Sequence, residues 1–439
     1  MDRIKALAEV GIDWGGLIGI IALVVLTAII GLIVLYSIRH YLFTLNRLFG
    51  RQRHPYVDVR EADWPSATVV IPAHNEEKVI GHVLDGLLLC DYPESRLEIM
   101  VVNDRSTDRT GELIDAIAAR NPGRFTPFHR TTGNPGKAAA LKDALVTVTS
   151  DVILIFDADY LPGTGLIKQL VAPFFDPEVG AVMGRVVPIN VGSNLLTRLL
   201  DLERSGGYQV DQQARMNLGL VPQFGGTVGG LRRTALVSVG GWREDSLTED
   251  TDITYRLLLR GWKTAYQNRS ECYEEVPESW PVRIRQINRW ARGHNECMRR
   301  YFRPLLNNLG WTGWFQRLDG MLLLGVYAMS AVMVVGWLLV LGLFFAGVSL
   351  VSWLFVFLAV AAYSALGNFA VFFEVAAAAR LDGYRNRIRL LPFTFFAFLV
   401  SLIATARASI PRWLTLRGRK VVWHKTERTR TGTSLRGII

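Results

Sequence analysis

Cysteine is scarce, with Cys90, Cys272 and Cys297 the three in 439 residues. An odd count without metal-ligand spacing excludes a disulfide framework and a structural zinc site, and it is compatible with a reducing cytosolic face. Two phosphate-binding signatures are also missing. No Gly-x-Gly-x-x-Gly turn follows the first strand-like run, and no Gly-x-x-x-x-Gly-Lys-Ser/Thr occurs, which excludes dinucleotide-type and P-loop cradles. Any phosphate must then be held by a metal ion and by cationic side chains. Nor is there a basic patch interleaved with aromatics in a known reader motif, so the net charge of +10 is assigned to lipid headgroups and phosphorylated substrates and not to nucleic acid.

What is present is a mixture. Half of the residues are hydrophobic and 20% are charged, as expected for a soluble domain joined to membrane segments, and the length exceeds one core. After a short leader (1–14), residues 15–38 carry no charge and are long enough to span a bilayer. The run is too long for a cleaved signal peptide and lacks a small-residue cleavage pattern. Arg39, His40, Arg47, Arg51 and Arg53 follow in a linker (39–65), which places the rest of the chain in the cytoplasm by the positive-inside rule. Residues 297–319 mix Arg with aromatic anchors, including Trp311 and Trp314, as interfacial helices do. Residues 320–346 and 350–379 read as two further spans, the second interrupted only by Glu374. Segment 390–410 is read as interfacial, re-entrant or transmembrane; a full third crossing would put the basic tail 411–439 outside, so an interfacial or re-entrant element bracketed by Pro392 and Pro411 is favoured. The expectation is a multi-pass cell-membrane protein with a cytoplasmic catalytic domain at 66–296.

Within that domain, short apolar runs alternate with helical stretches: strands at 68–72, 97–102 and 152–155, helices to 89 and at 109–119, 137–148 and 251–260. This is the pattern of βαβ units and a largely parallel sheet. The strand at 152–155 ends in Asp157-Ala-Asp159, and Leu161-Pro162-Gly163 stops it. Alone, two carboxylates one residue apart read as a solvated turn. At the carboxyl end of an α/β strand they sit where open sheets bind ligands, and Mg2+ or Mn2+ shared with substrate phosphates relieves their repulsion. Lys137 opens a helix after Gly133-Asn134-Pro135-Gly136 and is read as a phosphate ligand or a surface lysine. Residues 220–231 are glycine-dense, as where backbone approaches another group closely. Thr248-Glu249-Asp250 opens a helix, with Thr248 expected as N-cap and the acids in the first turn. Gln286, Arg289, Trp290 and Gly293 share one helix face, a composition odd for core or solvent and suited to a pyrophosphate and a sugar ring.

The ordered set Asp104, Asp157-Ala-Asp159, Thr248-Glu249-Asp250 and Gln286-Ile287-Asn288-Arg289-Trp290 resembles the signature of membrane-embedded, processive family 2 glycosyltransferases, the synthases of cellulose, hyaluronan, chitin and poly-N-acetylglucosamine. Trp423, Thr426 and Arg428 are similar to a gating-loop motif, and Phe224-Gly225-Gly226-Thr227 to an acceptor-side glycine motif. The resemblance implies a GT-A fold, an α/β domain with a mostly parallel mixed sheet, embedded between membrane and interfacial helices. It implies a nucleotide-diphospho-sugar donor, with UDP-GlcNAc and UDP-Glc ahead of GDP-mannose, inversion, and Mg2+ or Mn2+. In these terms Asp104, Asp157 and Lys137 serve the nucleotide side and Asp159 the metal. Asp250 is the base, Gln286, Arg289 and Arg428 hold the diphosphate, and Gly225, Gly226, Thr227 and Trp290 face the acceptor. The reading it places first is a polysaccharide synthase coupled to export, with accessory export subunits. A single-transfer glycolipid synthase, such as a ceramide glucosyltransferase, is the alternative, and a transporter with a nucleotide-binding regulatory domain the distant one.

Overall fold

The computed structural model describes residues 14–54, 62–307, 312–345, 369–383 and 385–409. Helix α1 (Trp14–Phe49) runs from the apolar segment through the arginine-rich one without a break. The alternating region then gives β1 (Ala67–Ala73), α2 (Ile80–Leu88), β2 (Leu97–Asp104), α3 (Thr110–Arg120), β3 (Phe125–Arg130), α4 (Lys137–Leu145) and β4 (Val152–Ile155). These strands pair in parallel in the order β3-β2-β1-β4. Successive residues of a strand face opposite ways. Val69 and Ile71 therefore pack with Leu84 of α2 and Ile114 of α3, while Val70 packs with Leu141 of α4 on the other side. Burial of both faces is why these strands read as continuous apolar runs and not as alternating ones.

The second half of the sheet is mixed. It comprises β5 (Leu161–Pro162), β6 (Val179–Pro188), β7 (Gly229–Arg232) and β8 (Lys263–Glu274). β7 runs antiparallel between β4 and β6, β8 lies parallel to β6, and β5 closes the edge. None of these four, nor β3, stands out in the sequence. The helices of this half are α5 (Leu166–Val171), α6 (Leu195–Ser205), a π-helical segment at Gly206–Gln212, α7 (Gln213–Leu218), α8 (Arg233–Ser238), α9 (Glu249–Leu259) and α10 (Trp280–Asn307). They are followed by α11 (Trp314–Gly325), α12 (Ala328–Phe345), α13 (Phe369–Leu381) and α14 (Leu391–Ser409).

Three helical stretches among the described residues are long and apolar enough to cross a membrane: Gly19–Phe49, Ala328–Phe345 and Asn386–Ser409. Several boundaries differ from those read in the sequence. The apolar stretch from residue 320 is divided at Val326–Tyr327, so α11, whose Leu323 and Leu324 pack with Tyr255 and Leu305, ends at Gly325 and α12 begins at Ala328. The expected domain edge at 296 falls inside α10, because Cys297, Tyr301 and Leu305 turn inward against Tyr255 and Leu258 of α9. The segment at 390–410, read as interfacial, re-entrant or transmembrane, contains a continuous helix, α14, packed on α10 and α12. Residues 350–368 and the tail with Trp423, Thr426 and Arg428 lie outside the described residues.

A ring of buried charge joins the N-terminal helix to the domain. Arg39 on α1 donates to Asp211 of the π segment at 2.8 Å and to Asp319 of α11 at 2.9 Å. Arg215 of α7 meets the same two carboxylates at 3.0 and 3.5 Å. Arg39, Arg215 and Asp319 are all buried. Two acids and two bases balance, so no charge is left uncompensated; removing one partner leaves a buried charge alone. Asp319→Ala is therefore expected to destabilise the protein by about 3 kcal/mol or more. Thermal unfolding in detergent checks this, with Arg317→Ala, at a half-buried neighbour outside the ring, causing a much smaller loss.

Candidate active site

The strand ends and the helices that follow them converge on one edge of the sheet. Asp104, at the end of β2, is buried. Its Oδ1 accepts from Arg130 at 2.6 Å and Arg105 at 3.0 Å, and its Oδ2 accepts from the Gly136 N–H at 3.0 Å. That last bond fixes the turn that delivers Lys137. The Lys137 ammonium donates to Asp157 Oδ1 at 2.5 Å and to the Gly226 carbonyl at 2.8 Å, with Glu249 at 3.8 Å. Burial alone would lower the pKa of this amine, but Asp157 and then Glu249 carry it above the ordinary lysine value. Lys137 is thus a half-buried cation that ties the Asp157 and Gly226 segments to the start of α4.

Two glycines make the convergence sterically possible. Gly226 has φ +73°, and a Cβ there would lie 3.0 Å from that of Asp250. A side chain on Gly293 of α10 would collide with Thr248. With hydrogen there, the start of α9 rests directly on α10. The expected cap is corrected by the same contact: Thr248 holds the N-cap position, but its side chain makes no cap bond and faces Cys297 Sγ at 3.7 Å. Beside it, Gly225 N–H points at Met183 Sδ and Thr227 Oγ1 accepts from the Asp157 N–H at 3.0 Å.

Asp250 is the most perturbed acid at this edge. Burial, then the adjacent Glu249, push its carboxyl up to about 7, against the opposing pull of the Thr251 N–H, Lys137 and Arg289. Asp250 Oδ1 accepts from the Thr251 N–H at 2.7 Å, and the Thr251 hydroxyl oxygen lies 3.4 Å from the same carboxylate oxygen. A carboxyl group that titrates near neutral pH is suited to act as a general base.

On α10, Arg283 donates to Gln286 Oε1 at 2.8 Å and to Glu203. The guanidinium groups of Arg204 and Arg283 stand 5.4 and 5.2 Å from the Trp290 ring. Arg204 also pairs with Glu274 at 2.6 Å, and Glu274 accepts from Tyr160 at 2.7 Å. Burial, then Glu274, Asp157 and Asp159, raise Tyr160 well above the ordinary phenol value. The negative field around the buried Asp159 is therefore felt by its neighbour. Hard carboxylate oxygens in such a field fit a divalent cation of the Mg2+ or Mn2+ type. Among the described residues no group of three or more His, Cys, Asp or Glu is placed to hold a metal.

A family model described as "Glycosyltransferase like family 2" matches residues 65–293, just over half of the chain. The chain belongs to glycosyltransferase family 2. It is 33% identical over 258 residues to "Probable glycosyltransferase YdaM" of Bacillus subtilis, covering 58% of this chain and 60% of that protein. It is 31% identical over 262 residues to a beta-monoglucosyldiacylglycerol synthase of Synechocystis, covering 60% of this chain and 54% of that one. Both matches thus span less than two thirds of the relatives' own length. In structure, it resembles the mannosyltransferase PcManGT of Pyrobaculum calidifontis, solved with GDP-mannose and Mn2+, at TM-score 0.57 and 23% identity over 89% of this chain and 98% of that one. The mixed sheet flanked by helices is accordingly a GT-A fold.

In this family 2 domain, the structure gathers Asp104, Lys137, Asp157, Asp159, Gly225, Gly226, Thr227 and Asp250 at one sheet edge, with Arg289 in electrostatic range of Asp250. Gln286 and Trp290 are linked through Arg283. The sequence reading missed Arg204, Arg283, Gln223 and His294. Arg283 and His294 were within reach, since they stand seven residues before and four after Trp290, on the same helical face. Arg204 and Gln223 carry no such periodic signal. Asp159→Asn, titrated with Mn2+ in the presence of UDP, is expected to bind the ion at least tenfold more weakly by the paramagnetic signal of free Mn2+. Binding equal to that of the unaltered protein would place the ion elsewhere.

Proposed function

We propose that the chain transfers one sugar from a nucleotide-diphospho-sugar, with inversion, to a hydroxyl of a membrane lipid. The observation that carries this reading is the position of Asp250 relative to the bilayer segments. Its neighbour Thr251 meets His294 at 3.2 Å, and the His294 ring meets Tyr327 edge-on at 4.8 Å, one residue before α12 begins. The candidate base thus lies close to where an apolar helix starts, which supports a lipid-borne acceptor. The name of the Synechocystis relative, a glycolipid synthase, supports the same order and moves the polymer synthase, first in the sequence reading, to second place.

In this mechanism Asp250 Oδ2 accepts the proton of the acceptor hydroxyl as its oxygen attacks the anomeric carbon. The bond to the donor phosphate breaks on the opposite face, so an α-linked donor gives a β-linked product. Arg289 and Gln286 neutralise and orient the departing diphosphate. Lys137 takes part by exchanging Asp157 for a phosphate oxygen, and Asp104 reaches the nucleotide while braced by Arg130. A divalent ion at Asp159, with Asp157 nearby, supplies further charge compensation when bound. Trp290, clamped by Arg204 and Arg283, offers an aromatic face to the acceptor.

The full chain in vesicles containing diacylglycerol or ceramide, given UDP-glucose, UDP-N-acetylglucosamine or GDP-mannose in turn, is expected to release nucleotide and form a monoglycosyl lipid. A polymer extractable into water would instead support the synthase reading. With the productive donor, kcat/KM should fall about tenfold per pH unit below about 7, as the raised carboxyl of Asp250 takes up its proton. In Asp250→Asn that limb should vanish and turnover drop by ~10²–10⁴ with donor affinity retained. An equal loss of donor affinity would make Asp250 a binding or structural residue.

A further inference from the structure

We propose that His294 is a positioning residue for Asp250, accepting the Thr251 hydroxyl hydrogen and so withholding that hydrogen bond from the carboxylate. The inference rests on Asp250 serving as the base. Its grounds are the donors and acceptors around one hydroxyl. Thr251 Oγ1 lies 2.9 Å from Gln223 Nε2, 3.2 Å from His294 Nε2 and 3.4 Å from Asp250 Oδ1. Gln223 Nε2 also lies 3.4 Å from His294 Nε2. An amide nitrogen only donates, so His294 Nε2 faces it as an acceptor, and the ring hydrogen resides on Nδ1. Gln223 donates to Thr251 Oγ1, leaving the hydroxyl one hydrogen for two acceptors. The shorter contact is to His294.

Other features support the neutral, accepting ring. His294 is buried, and burial, then Arg215 of α7, lower its pKa to about 4. The ring packs edge-on against Tyr327. The Gln223 backbone is itself fixed, its N–H and carbonyl both bonded by the Gln212 side chain at 2.9 Å. The groups with electrostatic reach to Asp250 are Glu249 on its own helix, Lys137 of α4, Arg289 and Cys297 of α10, Tyr208 of the π segment and Tyr327. None of these competes for the Thr251 hydrogen at hydrogen-bonding distance. A bond to the charged form of a carboxylate would stabilise that form and weaken the base. By taking the hydrogen, His294 leaves Oδ1 with the backbone N–H alone.

The test is an infrared titration of the full chain in detergent, carrying carboxyl-labelled aspartate; the band lost in Asp250→Asn reports this group. In His294→Phe the hydroxyl has only Asp250 to turn to, and the midpoint should fall by about one pH unit. His294→Gln, whose amide oxygen can accept in place of Nε2, should restore it. Thr251→Val tests the same point without touching α10: the midpoint should stay where it is, because the hydrogen was not on Asp250. A midpoint unmoved in a folded His294→Phe, or raised in Thr251→Val, would overturn the inference. Turnover measured alongside separates the two readings. A midpoint that shifts while the acid limb of kcat/KM does not would uphold the tuning and remove Asp250 as the base.

Discussion

The contact on which the site depends is the approach of Thr248 to Gly293. Backbone at position 293 lets the first turn of α9 rest on α10 with nothing between them. Three consequences follow from that single closeness. Asp250 comes within electrostatic range of Arg289, Thr251 reaches His294, and Thr248 is spent on packing instead of capping. A mid-helix glycine costs about 1 kcal/mol relative to alanine. Here that cost accompanies a junction that no larger residue could form.

Around this junction the protein places charge in dry surroundings and then balances it. Asp250 is buried enough to favour its neutral form, and Lys137 and Arg289 are close enough to keep the charged form accessible. Lys137 is held by the carboxylate and carbonyl it bridges. Farther out, the ring of Arg39, Asp211, Arg215 and Asp319 repeats the pattern between the N-terminal helix and the domain. The π segment belongs to both levels: Asp211 faces α1, and the next residue, Gln212, clamps the backbone of Gln223 beside Thr251. A wide helical turn is a common feature of functional regions, and here it lets adjacent side chains serve the N-terminal helix and the surroundings of Thr251.

Much of the first half of the fold was legible because its strands are buried on both faces and its crossovers are short and regular. β1, β2, β4, α2, α3 and α4 all appear near the positions their apolar runs indicate. β6, β7 and β8 did not stand out. β7 is Gly229-Gly230-Leu231-Arg232, whose glycines carry no strand propensity and are placed by packing against Leu154, Phe174 and Phe224. The break at Val326–Tyr327 escaped notice for a similar reason, since hydropathy varies little across it.

The amino-acid sequence by itself determined the family, through carboxylates and a helical Gln-Arg-Trp face in a fixed order, and it determined which stretches are apolar enough to meet a bilayer. Local chemistry suffices for both, because strand ends, turn residues and run lengths are local properties. Only the tertiary structure decided that Lys137 is an ion-paired, half-buried cation, that Thr248 packs instead of capping, and that Asp250 is raised by burial beside a threonine that meets His294. Each of those depends on groups distant in the chain meeting at a few ångströms, and burial and hydrogen-bond competition exist only once the chain has folded.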